Sequence, residues 1–198
     1  DRVEVLHDGA SAQYGSDAIA GVVNLRLKEA REGGGASVTY GQYFTNVETA
    51  RGKRDEQDGR AVTVSAWQGF GLGSDGFLTL SAEYSDRDPT NRSDYDPRPA
   101  ANGAITARFG DPKVEQWSVF ANAGKPLNAD WEAYGWAGYQ ERDSSSAAFP
   151  RLSNNPNNVP SIYPNGFLPK IAINSQDVSA AGGVRGALAG WDADFSLV

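Results

Sequence analysis

Few side chains in this sequence could carry out covalent chemistry. His7 is the one histidine and there is no cysteine, which removes a zinc-thiolate site, a thiol nucleophile and a disulfide framework together. No second ligand or nucleophile stands near His7 in the sequence, so it reads as a packed or surface residue rather than a metal ligand or general base. Neither a P-loop, a G-x-G-x-x-G, a G-x-S-x-G nor an H-E-x-x-H pattern occurs. Gly33-Gly34-Gly35 reads as a hinge, because no Lys-Ser/Thr pair and no helical pattern follow it as a phosphate cradle would need. Asp86, Asp88, Asp94 and Asp96 cluster with Asn91 and could in principle offer oxygens to calcium. Arg87, Arg92 and Arg98 are interleaved, however, and the spacing misses the glycine and terminal glutamate of an EF-hand, so a solvated loop is expected. No catalytic residue, metal site or cofactor is expected, and the protein is read as not an enzyme. What remains is contact chemistry: Trp67, Glu83, Glu132, Tyr134, Trp136 and Arg185 could touch a passing substrate, although packing is the favoured account of each taken singly.

The elements that must hold these residues show a period of two from Ala36 onward. Leu78, Leu80, Ala82 and Tyr84 fall on one face, with Thr79, Ser81, Glu83 and Ser85 on the other. The same alternation sets Val62, Val64, Ala66, Phe70 and Leu72 together, with Gln68 as a misfit on their apolar face. Further apolar faces are Val38, Tyr40 and Phe44; Trp117, Val119, Ala121 and Ala123; Trp131, Ala133, Ala137 and Tyr139; and Val178, Ala180, Val184 and Leu188. Six strands are predicted, with a seventh beginning near Asp192. Each runs to roughly ten residues or more, the length of a tilted strand that crosses a bilayer rather than the five or six of ordinary soluble sheets.

Two kinds of connection are predicted. Gly73–Gly76, Leu127–Asp130 and Gly190-Trp191 read as tight turns, whereas 46–59, 87–113 and 143–176 read as long polar loops. Strict alternation of long and short is what a barrel in an outer membrane shows. Trp131 and Tyr139, bracketing the small residues of one strand face, fit interfacial girdle positions.

Bulk properties narrow the partners. A net charge of -7 and a pI near 4.7 argue against a nucleic-acid surface, which needs a basic stripe. A mean hydropathy of -0.50 does not discriminate, since half of each barrel strand is polar. There is no apolar run long enough for a membrane helix and no signal peptide pattern. With no methionine and both ends inside strand patterns, the chain is expected to be a segment of a longer protein.

Residues 1–28 differ in kind. They read as a strand (Arg2 to Leu6), a turn at Asp8-Gly9, a helical turn over Ser16 to Ala20 with Ser16 as N-cap, and a strand (Val22 to Leu27). The stretch "RVEVLHDGASAQYGSDAIAGVVNLRLK" resembles the closing segment of the plug domain of TonB-dependent outer-membrane transporters. Arg2, Glu4, Val5, Leu6, Gly9, Ala10, Ser11, Tyr14, Gly15, Asp17, Ala18, Ile19, Gly21, Val22 and Asn24 carry that resemblance. It departs at His7, where relatives usually have an arginine that helps tie plug to barrel wall, so His7 becomes a possible plug–barrel contact.

The resemblance implies a mostly β fold: the end of a small α+β plug (1–28), a linker (29–35), and the first part, about seven strands, of an antiparallel transmembrane β-barrel (36–198). It further implies energy-coupled uptake of a scarce ligand, such as a ferric siderophore, a vitamin or an oligosaccharide, across the bacterial outer membrane. Outer-membrane lipid would surround the barrel, and the TonB–ExbB–ExbD complex would act through a segment upstream of Asp1. Two rivals share parts of the pattern: a passive porin-like channel, and a soluble β-sandwich that binds glycans through its Trp and Tyr residues.

Overall fold

The computed structural model describes residues 2–7 and 21–198. Two separate antiparallel units hold most of them. Strands β1 (Arg2–His7) and β2 (Gly21–Arg26) pair as one hairpin. Seven further strands form an open antiparallel sheet: β3 (Gly34–Thr49), β4 (Gly52–Leu72), β5 (Gly76–Arg87), β6 (Lys113–Pro126), β7 (Trp131–Ala147), β10 (Lys170–Leu188) and β11 (Trp191–Leu197). The two-residue strands β8 (Arg151–Leu152) and β9 (Gly166–Phe167) pair with each other inside the connection between β7 and β10. The fold is thus mostly β and antiparallel, as expected, and the edge strands β3 and β11 do not meet.

Each strand of the sheet neighbours its predecessor in the chain, so side chains at paired positions share a face. One face is apolar, with rows such as Ala66, Ala82, Val119, Tyr139 and Val178 in continuous register. The other carries Ser65, Glu83, Ser118, Gln140 and Asp177 in one row and Trp67, Ser81, Phe120, Gly138 and Ser179 in the next. These are the faces that the period of two assigns. The apolar face is not covered by a second layer among the described residues. Val38 is 73% exposed and Val178 76%, which marks a surface built to meet an apolar partner.

The strand ends depart from the expected boundaries. Residues 46–59 form no loop. β3 and β4 continue past the apolar region as a hairpin closed by the turn Ala50-Arg51, where Thr49 Oγ1 donates to the Gly52 carbonyl at 2.8 Å. The ladder survives there because opposed polar side chains pair across it: Asn46 donates to Asp55 at 2.9 Å, and Glu48 meets Lys53. Strict alternation of long and short connections therefore fails at its first member. The last long connection is shorter than expected, spanning 148–169, while 88–112 falls where predicted. Direction still alternates: 50–51, 88–112 and 148–169 lie at one end of the sheet, and 73–75, 127–130 and 189–190 at the other.

Smaller corrections follow from backbone geometry. The last turn is Ala189-Gly190, one residue earlier than expected, with φ of 53° and 84°, the double positive φ of a tight hairpin turn. Between Gly41 and Tyr43 the register shifts by one because β4 carries two residues, Gly59 (φ 62°) and Arg60, against one of β3, while the alternation along β3 that groups Phe44 with Val38 and Tyr40 runs on. Gly34 and Gly35 are already in the β3–β4 ladder, opposite Gln68 and Trp67, so of the expected glycine hinge only Gly33 (φ 78°) lies outside a strand. Strand β3 accordingly begins at Gly34, two residues before Ala36, where the period of two is expected to start.

Candidate functional site

The segment between the hairpin and the sheet, residues 27–33, lies as a strap across the polar face and is bonded to three strands in turn. Asn122 Nδ2 on β6 donates to the Lys28 carbonyl at 3.1 Å. Thr79 Oγ1 on β5 accepts from the Ala30 N–H at 2.9 Å and donates to the Ala30 carbonyl at 3.3 Å. Arg31 reaches the carbonyls of Gly73 and Ser74 in the short turn after β4. At Gly33 the strap meets β4, its carbonyl accepting from the Gly69 N–H at 2.8 Å and from Gln68 Nε2 at 2.7 Å. Gln68, the misfit of the apolar pattern, is thereby accounted for.

Two properties of the sheet make room for the strap. Thr79 and Asn122 occupy one row of the polar face with Gly69, and both are almost fully buried at 4% and 8% exposure. Gly69 supplies clearance, since a Cβ there would sit 2.7 Å from the Ala30 carbonyl oxygen. Sequence reading placed Thr79 on the polar side without singling it out, and singled out neither Asn122 nor Gly69. A small residue beside two hydrogen-bonding ones on neighbouring strands is a signal only once the register is known.

Between the strap and the sheet lies a cavity of about 370 Å³. Its walls include Trp67 and Phe120, its polar lining includes Glu83 and Ser118, and Lys28 projects into it from the strap. The Lys28 ammonium lies over the Trp67 ring, 4.4 Å from its centroid, a cation–π arrangement. Trp136 stacks behind Phe120 at 5.8 Å and 19°, stiffening that wall. The arrangement offers two aromatic surfaces and a carboxylate, which is binding chemistry.

The six expected contact residues divide into two groups. Trp67 and Glu83 line the strap cavity, with Trp136 in support. Glu132, Tyr134 and Arg185 lie nearer the short turns, where they satisfy one another: Arg185 contacts Glu132 through Nη2 at 3.0 Å and sits 5.3 Å from the Tyr134 ring centroid. Tyr134 Oη donates to Asp194 at 2.7 Å. This second cluster is a partly exposed network whose members pair with one another at the rim of an open hollow, and the strap cavity is the better candidate site.

Of the motif residues, those in the hairpin explain their own pattern. Glu4 and Asn24 are register partners. Arg2 Nε donates to Glu4 at 2.8 Å, and Asn24 Nδ2 donates to its other oxygen at 2.9 Å. Val5 and Leu6 lie in β1, and Gly21 and Val22 in β2. Gly9, Ala10, Ser11, Tyr14, Gly15, Asp17, Ala18 and Ile19, with the expected helical turn at 16–20, lie outside the described residues, and His7 is described only as backbone.

At the other end of the sheet the acidic cluster departs from the expected solvated loop. Asp58 takes both terminal nitrogens of Arg92, at 2.6 and 2.9 Å. Asp96 is bound by Arg98 at 2.6 Å and by Thr106, and its side chain is only 7% exposed. The Arg98 hydrogen bonds, joined by those of Thr106, hold the Asp96 carboxyl well below the usual range. These carboxylates are spent on arginines, which ties residues 88–112 into an ordered connection. Only Asp96 takes an arginine of its own segment; Asp86 and Asp88 share Arg60 of β4, and Asp94 takes Arg51 of the β3–β4 turn, so it is the neighbouring hairpin that satisfies most of the cluster. No family model, curated protein or solved structure matches the chain.

Proposed function

We propose that this chain contributes the end of the plug and the first strands of the transmembrane barrel of a TonB-dependent outer-membrane transporter. The carrying observation is the strap: the segment that directly follows the plug-like motif is hydrogen-bonded across the polar face of a sheet whose opposite face is apolar and exposed. In a plugged barrel the polar face looks inward and the apolar face meets lipid.

Dimensions support this reading. β4, β7 and β10 have 21, 17 and 19 residues, more than the roughly 9–11 needed to cross a bilayer, so their polar ends project beyond it. On the apolar face Trp117 packs on Tyr139 at 4.8 Å and Trp131 stacks on Phe195 at 6.3 Å. Eight positions separate Tyr139 from Trp131, about 26 Å along a strand, or about 20 Å of membrane depth at the usual tilt. That is close to the spacing of two aromatic girdles.

On this reading the scarce ligand, whether ferric siderophore, vitamin or oligosaccharide, is captured at the end carrying 88–112 and 148–169. It is then released past the plug when TonB, energised by ExbB and ExbD, pulls on a segment N-terminal to the plug. No covalent chemistry is involved. A soluble sandwich would require a second sheet over the apolar face, and a simple porin has no use for the strap and plug motif.

The test is uptake by a deletion strain grown on defined iron, vitamin or glycan sources. Loss of uptake that the full-length gene restores, and that a protonophore abolishes, is the expected result. Protonophore-insensitive uptake through a constantly open pore would favour the porin.

A further inference from the structure

A second cavity, of about 310 Å³, opens at the end of the sheet that carries 88–112 and 148–169. Tyr95, Phe109 and Phe149 supply its aromatic walls, and Arg51 and Arg98 its cations. The wall formed by 88–112 is held from behind. The Tyr95 ring lies over Gly52, where a Cβ would sit 2.5 Å from it, and the Phe109 N–H donates to the buried Ser93 hydroxyl at 2.8 Å. From the other side Phe149 faces Arg98, whose guanidinium carbon is 5.6 Å from the ring centroid.

Both arginines of the cavity are paired, and the two pairs are exposed in the same sense. The Asp96 side chain is 7% exposed against 39% for Arg98, and Asp94 25% against 49% for Arg51. In each pair the cation is the member left at the surface. The acceptors are also spent where donors remain. Asp96 takes Nε and Nη2 of Arg98, the Arg98 N–H and Thr106, and Asp94 takes Nη1 of Arg51 and the Tyr95 N–H. Arg98 Nη1, and Nε and Nη2 of Arg51, have no hydrogen-bond partner among the described residues.

Spare guanidinium donors, satisfied carboxylates and aromatic walls select together for an anionic acceptor carried on a ring. A planar guanidinium matches a carboxylate in shape and charge, and the aromatic faces take a flat apolar surface. A neutral hydroxyl gains only ordinary hydrogen bonds there, and an ammonium group meets the exposed guanidiniums before the covered carboxylates.

We propose that Arg51, Arg98 and Phe149 form a subsite for a ring-borne carboxylate of the ligand, with Tyr95 and Phe109 as its remaining walls. The inference rests on the transport reading only in taking this end of the sheet as the one that meets the ligand. Aromatic acids and uronate sugars share the required chemistry, and comparison of each with its neutral counterpart tells them apart.

The experiment uses the full-length protein in detergent micelles, titrated calorimetrically with benzoate and benzamide and with galacturonate and galactose. At least one acid should bind about fivefold more tightly than its neutral counterpart, the margin of charge-assisted over neutral hydrogen bonds, and the acid that does so identifies the ligand's ring. Arg51→Gln should erase most of that preference. Arg98→Lys, which keeps a cation beside Asp96, should weaken the acid about threefold through loss of the planar fork. Phe149→Leu should weaken acid and neutral form alike, with circular dichroism confirming that each variant is folded. Absence of a preference for either acid, or a preference unmoved by Arg51→Gln, overturns the proposal. Energised uptake without an acid preference would sink the subsite alone. An acid preference as described, without protonophore-sensitive uptake, would leave the subsite standing and sink the transport reading.

Discussion

Gly69 and Ala30 approach so closely that no side chain fits between them: a Cβ on Gly69 would lie 2.7 Å from the Ala30 carbonyl oxygen and 2.8 Å from its Cβ. Gly69→Val should therefore lift the strap from β4 and cost about 1–3 kcal/mol through overpacking. Thermal unfolding in detergent, together with tryptic cleavage after Lys28 and Arg31, measures it. Gly71→Ala is the control, because its Cβ would find only the Arg31 carbonyl at 3.7 Å. Equal behaviour of the two variants would show that the strap is not seated at Gly69.

Thr79→Val removes a hydroxyl that serves both the N–H and the carbonyl of Ala30. With the site nearly buried, two backbone groups lose their partner, and a loss of about 1–3 kcal/mol is expected. Thr79→Ser should keep both bonds and restore most of it. Failure of serine to rescue would assign the effect to packing of the methyl group instead.

The Glu132–Arg185 pair should matter little to stability. Its side chains are 33% and 51% exposed, and exposed pairs contribute about 0–1 kcal/mol. Glu132→Gln should shift the unfolding midpoint barely at all, and the swap of Glu132→Arg with Arg185→Glu should be tolerated. A large loss in the single variant would mean that the cluster anchors something beyond its own strands.

Asp96 carries an acid dependence. Its folded pKa lies below the unfolded value of about 3.9, so its stabilisation is fully present above that value and is lost as pH falls through the folded pKa. Residues 95–108 should keep their amide protection, corrected for intrinsic exchange, at pH 5 and lose it only in strong acid. Asp96→Asn should lower protection already at pH 7 and flatten the pH profile. A wild-type loop that opens between pH 6 and 5 would contradict this assignment.

Single-tryptophan variants of the full-length protein in brominated lipid test which face meets the bilayer. Trp117 and Trp131 share the apolar face, and Trp67 and Trp136 the polar one. Strong quenching of the first pair and weak quenching of the second is expected. Uniform quenching would remove the lipid-facing assignment.

The period of two in residues such as Leu78 to Tyr84 determined, without any coordinates, that the chain is β-rich and which side chains share a face, because side-chain direction alternates along any strand. It also assigned Trp67 and Glu83 to the polar face. Where strands stop was less legible. Residues 46–59 lack apolar alternation, so only the cross-strand pairs of the folded hairpin reveal that the ladder continues there. The aspartates at 86–96 likewise looked solvated until the fold set arginines against them. Tertiary structure alone decided the strap, since its partners Thr79 and Asn122 are 49 and 94 residues from the backbone groups they hold. Local pattern records which way a side chain points, but which strand lies beside it, and what crosses above it, depends on register between segments distant in the chain.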